Sequence, residues 1–149
     1  MKSSLCVLFA LALSACGAPQ APTGELQLDQ LRGQWVVINY WAQWCKPCIK
    51  EVPELNRLNS DYAGVTVLGV NYDGASGDDL ASQVAQLGID FTTLAVDPSG
   101  QLGIARPVVL PTTLILDPNG QLQETLIGPQ TLASLARATS QDAGPNSHE

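Results

Sequence analysis

The feature that most constrains this chain is an apolar strand that leads directly into a pair of cysteines. Trp35 to Trp41 is β-branched and aromatic apart from Asn39, which predicts a central strand that a sheet buries on both faces. Cys45 and Cys48 follow, with Pro47 between them, and the apolar residues beyond recur at three-residue steps. This spacing predicts a helix from Cys45 to Leu58 that begins at the two thiols.

Further strands and helices alternate along the rest of the chain. Two apolar runs around Asp117 to Gly120 predict an antiparallel hairpin, because Asp-Pro-Asn-Gly has the residues that a tight turn needs. The order is β-α-β-α-β, then the hairpin, then a helix, which predicts an α/β fold with a mixed central sheet flanked by helices. The predicted strands are Val65–Asn71, Phe91–Val96, Thr112–Leu116 and Gln121–Ile127, and the predicted helices are Asp79–Leu87 and Pro129–Thr139.

The N-terminus has the pattern of a targeting segment. Lys2 supplies a positive charge, and Leu5 to Leu13 is an apolar run within the roughly 7–15 residues of a secretory signal but short of the ~20 that span a membrane. The segment Leu13-Ser14-Ala15-Cys16 resembles a bacterial lipobox. This resemblance implies cleavage before Cys16 and attachment of lipid, including palmitate, to Cys16. The alternative is an ordinary signal peptide with Cys16 unmodified.

These patterns divide the chain into four parts. We predict a lipoprotein signal peptide at 1–15, a lipidated tether at 16–24, one folded domain at 25–140 and a loose tail at 141–149. Export would place Cys45 and Cys48 where disulfides persist. Gly17 stands where an Asp retains many enterobacterial lipoproteins at the inner membrane, so the sequence leaves inner and outer membrane open.

Composition excludes several other classes of protein. Apolar residues make up 45% of the chain and charged residues 14%, which argues against disorder. The net charge is −7 with no basic block, so we expect no nucleic-acid partner. A structural zinc site usually needs four N or S ligands, but there is no second CxxC and His148 lies in the tail. We therefore predict no metal and no cofactor.

The pair Cys45 and Cys48 is suited to thiol–disulfide exchange. Cys45 would lie at the helix N-terminus with its sulfur partly exposed, where the helix dipole and nearby Lys46 favour the thiolate. Pro47 would stiffen the first turn, and Cys48, one turn further, would be buried and act as the resolving thiol. The alternative is a purely structural disulfide, but so short a ring closes almost no loop and stabilises little.

The stretch from Val36 to Cys48 resembles the active-site strand and turn of the thioredoxin superfamily, and the resemblance covers most of residues 26–139. Leu110-Pro111-Thr112 is similar to the cis-proline loop that faces the CxxC in that superfamily. The resemblance implies that Cys45 and Cys48 form a redox-active disulfide flanked by Trp44. It also implies a cis Pro111, with the backbone of Leu110 offered to an extended substrate.

Within the superfamily the chain looks most like the TlpA/ResA/CcmG branch of anchored extracytoplasmic thioredoxins. The segment Asp73 to Val96 resembles that branch's extra helix and strand, and Asn39 stands where thioredoxin has a buried Asp. An amide cannot accept the proton of Cys48, so Glu51, on the same helical face, is the candidate base. Partial burial would raise the Glu51 pKa. The alternative is that Glu51 is a plain solvated residue.

The resemblance implies a membrane-anchored, periplasm-facing thiol–disulfide oxidoreductase that reduces disulfides in exported proteins. Substrates would include apocytochrome c during cytochrome c biogenesis, and a DsbD- or CcdA-like membrane thiol transporter would supply electrons. Lys46 favours the reduced dithiol, which makes the cysteine pair more oxidising. The alternative that the protein is a disulfide oxidant therefore stays open. A Sco-like copper-binding chaperone needs CxxxC and a distal His, and a peroxiredoxin needs Pro-x-x-x-Thr-x-x-Cys; both patterns are absent here. A lipoprotein that only binds a partner is the remaining alternative.

Overall fold

The computed structural model describes residues 28–141. The predicted signal peptide, Cys16, its tether and the tail beyond Gln141 lie outside the described residues. Within residues 28–141, no helix is both long enough and apolar enough to cross a membrane.

The element order agrees with the prediction from the sequence. Three strands have the predicted bounds, because each is an apolar run that ends at turn residues: β1 (Trp35–Trp41), β2 (Val65–Asn71) and β4 (Thr112–Leu116). The other elements are α1 (Lys46–Asp61), α2 (Gly77–Leu87), β3 (Thr92–Leu94), β5 (Leu122–Ile127) and α3 (Leu132–Ala138). A 3-10 helix at Leu28–Leu31, which the sequence analysis did not predict, precedes β1.

Three predicted elements are longer than those observed, β5 by its first residue only. The strand expected at Phe91–Val96 is only Thr92–Leu94, because the edge strand β3 pairs with β2 over three residues. The helix expected from Pro129 starts at Leu132, because Thr131 caps it: the Thr131 hydroxyl accepts from the N–H of Ser134, and the Ser134 hydroxyl accepts from the N–H of Thr131.

The five strands form one mixed sheet in the order β3-β2-β1-β4-β5. β1 pairs with β2 in parallel and with β4 in antiparallel, and β4 pairs with β5 in antiparallel, so the predicted mixed sheet is confirmed. Val37, at the centre of β1, lies between Val67 and Ile115 and is fully buried. This central position explains why β1 is apolar at every position except Asn39.

The two faces of the sheet are covered differently. All three α-helices pack on one face, where they bury Val52, Leu55 and Leu135 against alternate residues of β1 and β2. The other face is covered by the 3-10 helix and by the segment between β3 and β4, which contributes Leu102, Ile104 and Leu110. Residues Ala105 to Leu110 in that segment have no regular secondary structure.

Candidate active site

The two cysteines lie at the start of α1, and they form a disulfide with an S–S distance of 2.04 Å. Cys45 is the N-cap residue of α1, and its sulfur accepts a hydrogen bond from the backbone N–H of Cys48 at 3.3 Å. Pro47 occupies the first turn, where its missing N–H leaves no helical hydrogen bond unmade. A backbone N–H directed at the sulfur favours the thiolate once the disulfide is reduced.

Cys45 is more buried than the sequence analysis predicted. Its residue is 4% exposed and Cys48 is 1% exposed, so the expected partly exposed sulfur at Cys45 is wrong for the disulfide form, whereas the burial of Cys48 is confirmed. The physical reason is that the S–S bond places one sulfur against the other, and both residues belong to the core cluster beneath α1. Trp44 is 63% exposed and forms the surface beside the pair.

The Leu110–Pro111 peptide bond is cis, as predicted. Tyr40 pairs with Thr112 across β1 and β4, which places Pro111 at the same end of the sheet as the loop carrying the cysteines. The Thr112 hydroxyl donates to the carbonyl of Val109 at 2.7 Å, and the carbonyl of Pro111 accepts from the N–H of Gly128 at 2.9 Å. The role of Pro111 and Leu110 as a platform for substrate stays a prediction.

Glu51 is buried on the same face of α1 as Cys48, with 2% of the residue exposed, so the solvated alternative is excluded. Its carboxylate accepts hydrogen bonds from the side-chain amide of Asn39 and from the backbone N–H of Gln130, the latter at 2.8 Å. Burial raises the pKa of Glu51 to about 7, although these two hydrogen bonds oppose the shift. A carboxyl with this pKa can both take up and release a proton near neutral pH.

Two residues around Glu51, Thr113 and Gln130, were missed from the sequence. Asn39 donates to the hydroxyl of Thr113 at 3.0 Å as well as to Glu51, and the strand register places Asn39 opposite Thr113. Gln130 reaches the site from the turn before α3, and Glu54 accepts from the N–H of Leu132 at 2.8 Å, which ties α1 to the start of α3. Of the missed residues, Thr113 could have been predicted from the sequence, because a buried polar residue opposite Asn39 needs a hydrogen-bond partner.

The buried Glu51 should make the stability of the disulfide form depend on pH. Its pKa is raised from 4.5 to about 7, so between these values the folded protein holds a proton that the unfolded chain has released. The free energy of unfolding should therefore fall as pH rises through this window, by about 3 kcal/mol relative to Glu51→Gln. Urea unfolding of both proteins from pH 4 to 8 measures the difference.

Glu54→Gln is the matched control for this measurement, because it changes a carboxylate on the same helix that also accepts a backbone N–H. It should show the same pH dependence as the wild type. Parallel curves for the wild type and Glu51→Gln would contradict the proton held by Glu51.

Among residues 28–141, no three His, Cys, Asp or Glu side chains are grouped so as to hold a metal ion. The described site consists of a cysteine pair, a buried carboxyl and the amide and hydroxyl groups around it.

A mixed five-stranded sheet with a disulfide at the start of the helix after its central strand defines a thioredoxin-like protein. The chain belongs to the AhpC/TSA family, whose pattern matches residues 11–125. The resemblance to thioredoxin-like proteins of the ResA type, seen in the sequence, is thereby confirmed.

Similar proteins include several thiol-disulfide oxidoreductases. ResA of Bacillus anthracis is 34% identical over 116 residues, which cover 74% of this chain and 65% of that protein. The thiol:disulfide interchange protein HelX of Rhodobacter capsulatus is 34% identical over 95 residues, which cover 64% of this chain and 51% of HelX. A secreted thiol-disulfide isomerase from Corynebacterium glutamicum superposes with a TM-score of 0.63 at 27% identity, covering 76% of this chain and 73% of that one. The chain thus spans less than two thirds of ResA and about half of HelX.

Proposed function

We propose that this protein is a membrane-anchored thiol–disulfide oxidoreductase that reduces disulfides in exported proteins. The observation that carries the proposal is the Cys45–Cys48 disulfide at the first turn of α1, with the buried Glu51 on the same helical face. The names of the similar proteins ResA and HelX support the same chemistry.

The reaction would proceed in two exchange steps. The Cys45 thiolate attacks one sulfur of the substrate disulfide, forming a mixed disulfide and releasing the first substrate thiolate. Cys48 then gives its proton to Glu51 and attacks the Cys45 sulfur, which releases the second substrate thiolate and leaves the Cys45–Cys48 disulfide. The substrate gains the two electrons that the enzyme dithiol loses. Its two thiolates take up the proton held by Glu51 and one from solvent, which replaces the proton that Cys45 released on ionising.

The substrates we propose are exported cysteine-containing proteins, apocytochrome c among them, and the electron donor is a DsbD- or CcdA-like membrane thiol transporter. These assignments rest on the resemblance to the TlpA/ResA/CcmG branch. In the opposite direction the same pair would act as an oxidant, and Lys46 beside Cys45 favours that direction electrostatically.

Two measurements test the activity and its direction. The purified, reduced full chain should reduce insulin and lose both active-site thiols as the insulin disulfides open. Acid-trapping and alkylation of cells should find Cys45 and Cys48 mostly as dithiol if the protein is a reductant. A mostly disulfide population would instead identify an oxidant, and absence of any exchange would leave only a binding role.

We also propose that Cys16 carries the lipid that anchors the protein in the bacterial cell envelope, facing the periplasm. The support is the lipobox-like sequence directly after the apolar run. Cys16→Ser should abolish labelling by radioactive palmitate and release the protein from membranes. Cys6→Ser is the matched control, since Cys6 lies within the segment to be removed. Retention of the label in Cys16→Ser would contradict the proposal.

A further inference from the structure

Arg106 connects the irregular segment before Pro111 to the ends of β1 and β2. Its Nε donates to Asp97 at 2.7 Å, and its Nη2 donates to the backbone carbonyl of Tyr72 at 2.6 Å. Its guanidinium also lies over the ring of Tyr72, 4.1 Å from the ring centre. One side chain therefore fixes a stretch of backbone that no helix or strand holds in place.

Asp97 is itself attached to the centre of the sheet. Its carboxylate accepts from the hydroxyl of Tyr40, a fully buried residue of β1, at 2.8 Å, and from the N–H of Ser99 at 2.9 Å. Burial works to raise the pKa of Asp97, but hydrogen bonds from Ser99, Arg106 and Tyr40 lower it further, so the carboxylate is ionised at neutral pH. Arg106 thus binds a charged partner that a core residue holds in position.

Tyr72 and its neighbour Asp73 form the opposite anchor. The N–H of Tyr72 donates to the carbonyl of Trp41 at 2.7 Å, at the start of the loop that carries the cysteines. The indole N–H of Trp44 donates to the Asp73 carboxylate at 2.9 Å. Tyr72 therefore binds Arg106, and the adjacent residue Asp73 binds Trp44.

The residues held in this way carry large exposed apolar side chains. Trp44, beside the cysteines, is 63% exposed, and Val108 and Val109, just before Pro111, are 85% and 49% exposed. Because Trp44 and Arg106 are attached to neighbouring residues, the hydrogen bonds of Arg106 contribute to the spacing between Trp44 and the two valines, beside the Thr112 hydroxyl that holds the Val109 carbonyl.

We propose that Arg106 is a positioning residue, which sets the spacing between Trp44 and Val108–Val109 so that the site accepts a polypeptide disulfide. This inference rests on the proposed oxidoreductase function and deepens it. A small disulfide needs only the cysteines, whereas the chain flanking a protein disulfide must also fit between these apolar side chains. Arg106 therefore affects the binding of protein substrates and leaves the exchange chemistry unchanged.

An exposed ion pair adds little to the stability of a protein. Stabilisation of the fold therefore does not by itself account for the three contacts of Arg106. Ion pairs at a protein surface typically contribute little to stability, and the side chains of Arg106 and Asp97 are 42% and 26% exposed. The planar fork of arginine, by contrast, can hold Asp97 and the Tyr72 carbonyl in one fixed geometry, which a lysine ammonium cannot reproduce.

The test compares insulin with hydroxyethyl disulfide as substrates of the reduced full chain. In Arg106→Gln and Arg106→Lys the KM for insulin should rise about 5-fold, the size expected for losing one hydrogen bond of ordinary strength, with kcat nearly unchanged. The rate with hydroxyethyl disulfide should stay within about 2-fold of wild type for both variants. Arg57→Gln is the control, because Arg57 pairs with Asp61 at the far end of α1, 4.0 Å away.

A second readout is the NMR backbone order parameter of Val108 and Val109, which should fall in Arg106→Gln while the midpoint of urea unfolding stays unchanged. Equal losses with both substrates, full rescue by Arg106→Lys, or unaltered kinetics with insulin would each overturn the inference. A wild-type chain that reduces neither substrate would overturn the proposed function instead, and this inference with it.

Discussion

Cys45→Ser should lower the rate of disulfide reduction by roughly 1,000-fold or more, because loss of the nucleophile removes the covalent step and not merely a contact that assists it. Cys45 is the residue whose sulfur accepts the helix N–H of Cys48, and this hydrogen bond stabilises the thiolate that must attack. A serine hydroxyl has the same shape but is far less acidic. Steady-state reduction of insulin by the pre-reduced full chain measures the loss.

Cys48→Ser should behave differently, although it also stops turnover. The first exchange step remains possible, so mixed disulfides between Cys45 and substrate should accumulate, because no second thiol resolves them. Non-reducing gel electrophoresis followed by mass spectrometry identifies these adducts. The two variants control for each other, since each leaves one thiol in the same site. If Cys45→Ser traps substrates and Cys48→Ser does not, the roles of the two cysteines are reversed.

Glu51→Gln should slow turnover by roughly 10–100-fold at neutral pH, at the low end of what a general base contributes because water can replace it. The buried thiol of Cys48 must lose a proton before it can attack, and burial in an apolar site disfavours its thiolate. Glu51 lies on the same face of α1 as Cys48, and its pKa is raised to about 7 by burial. Glutamine keeps the shape of the side chain and removes the base.

The decisive measurement is the pH–rate profile of disulfide reduction. In the wild type the rate should rise as Glu51 ionises near pH 7. In Glu51→Gln this rise should move to higher pH, where Cys48 ionises without help. Glu54→Gln, which changes a neighbouring carboxylate tied to the N–H of Leu132, should reproduce the wild-type profile. Superimposable profiles for the wild type and Glu51→Gln would mean that the proton leaves by another route.

Most of the fold that could be predicted from the sequence was predicted from local patterns. β1, β2 and β4 have their predicted bounds because each strand is a run of apolar residues between turn signals, and such runs are visible in the sequence. Thr131 shows the limit of this approach: it moved the start of α3 by capping the helix, although its partner Ser134 is only three residues away. The capping pair was present in the sequence and went unrecognised.

The part of the site that was predicted consists of residues that lie close together in the sequence. Cys45, Cys48 and Glu51 lie within two turns of one helix, so the sequence alone could place them together. The hydrogen bonds to Thr113 and Gln130 join residues 74 and 79 positions apart, and such contacts follow from the packing of the sheet and not from any local pattern. The burial of Cys45 likewise depends on the disulfide and on the core beneath α1.

The short turn between β5 and α3 connects the cis-proline loop to the buried carboxyl of Glu51. Gly128 binds the carbonyl of Pro111, and Gln130, two residues later, binds the carboxylate of Glu51. A hydrogen bond to a carboxylate is roughly twice as strong as one to a neutral group. Protonation of Glu51 should therefore weaken the hydrogen bond from Gln130, in the same turn whose Gly128 holds the Pro111 carbonyl.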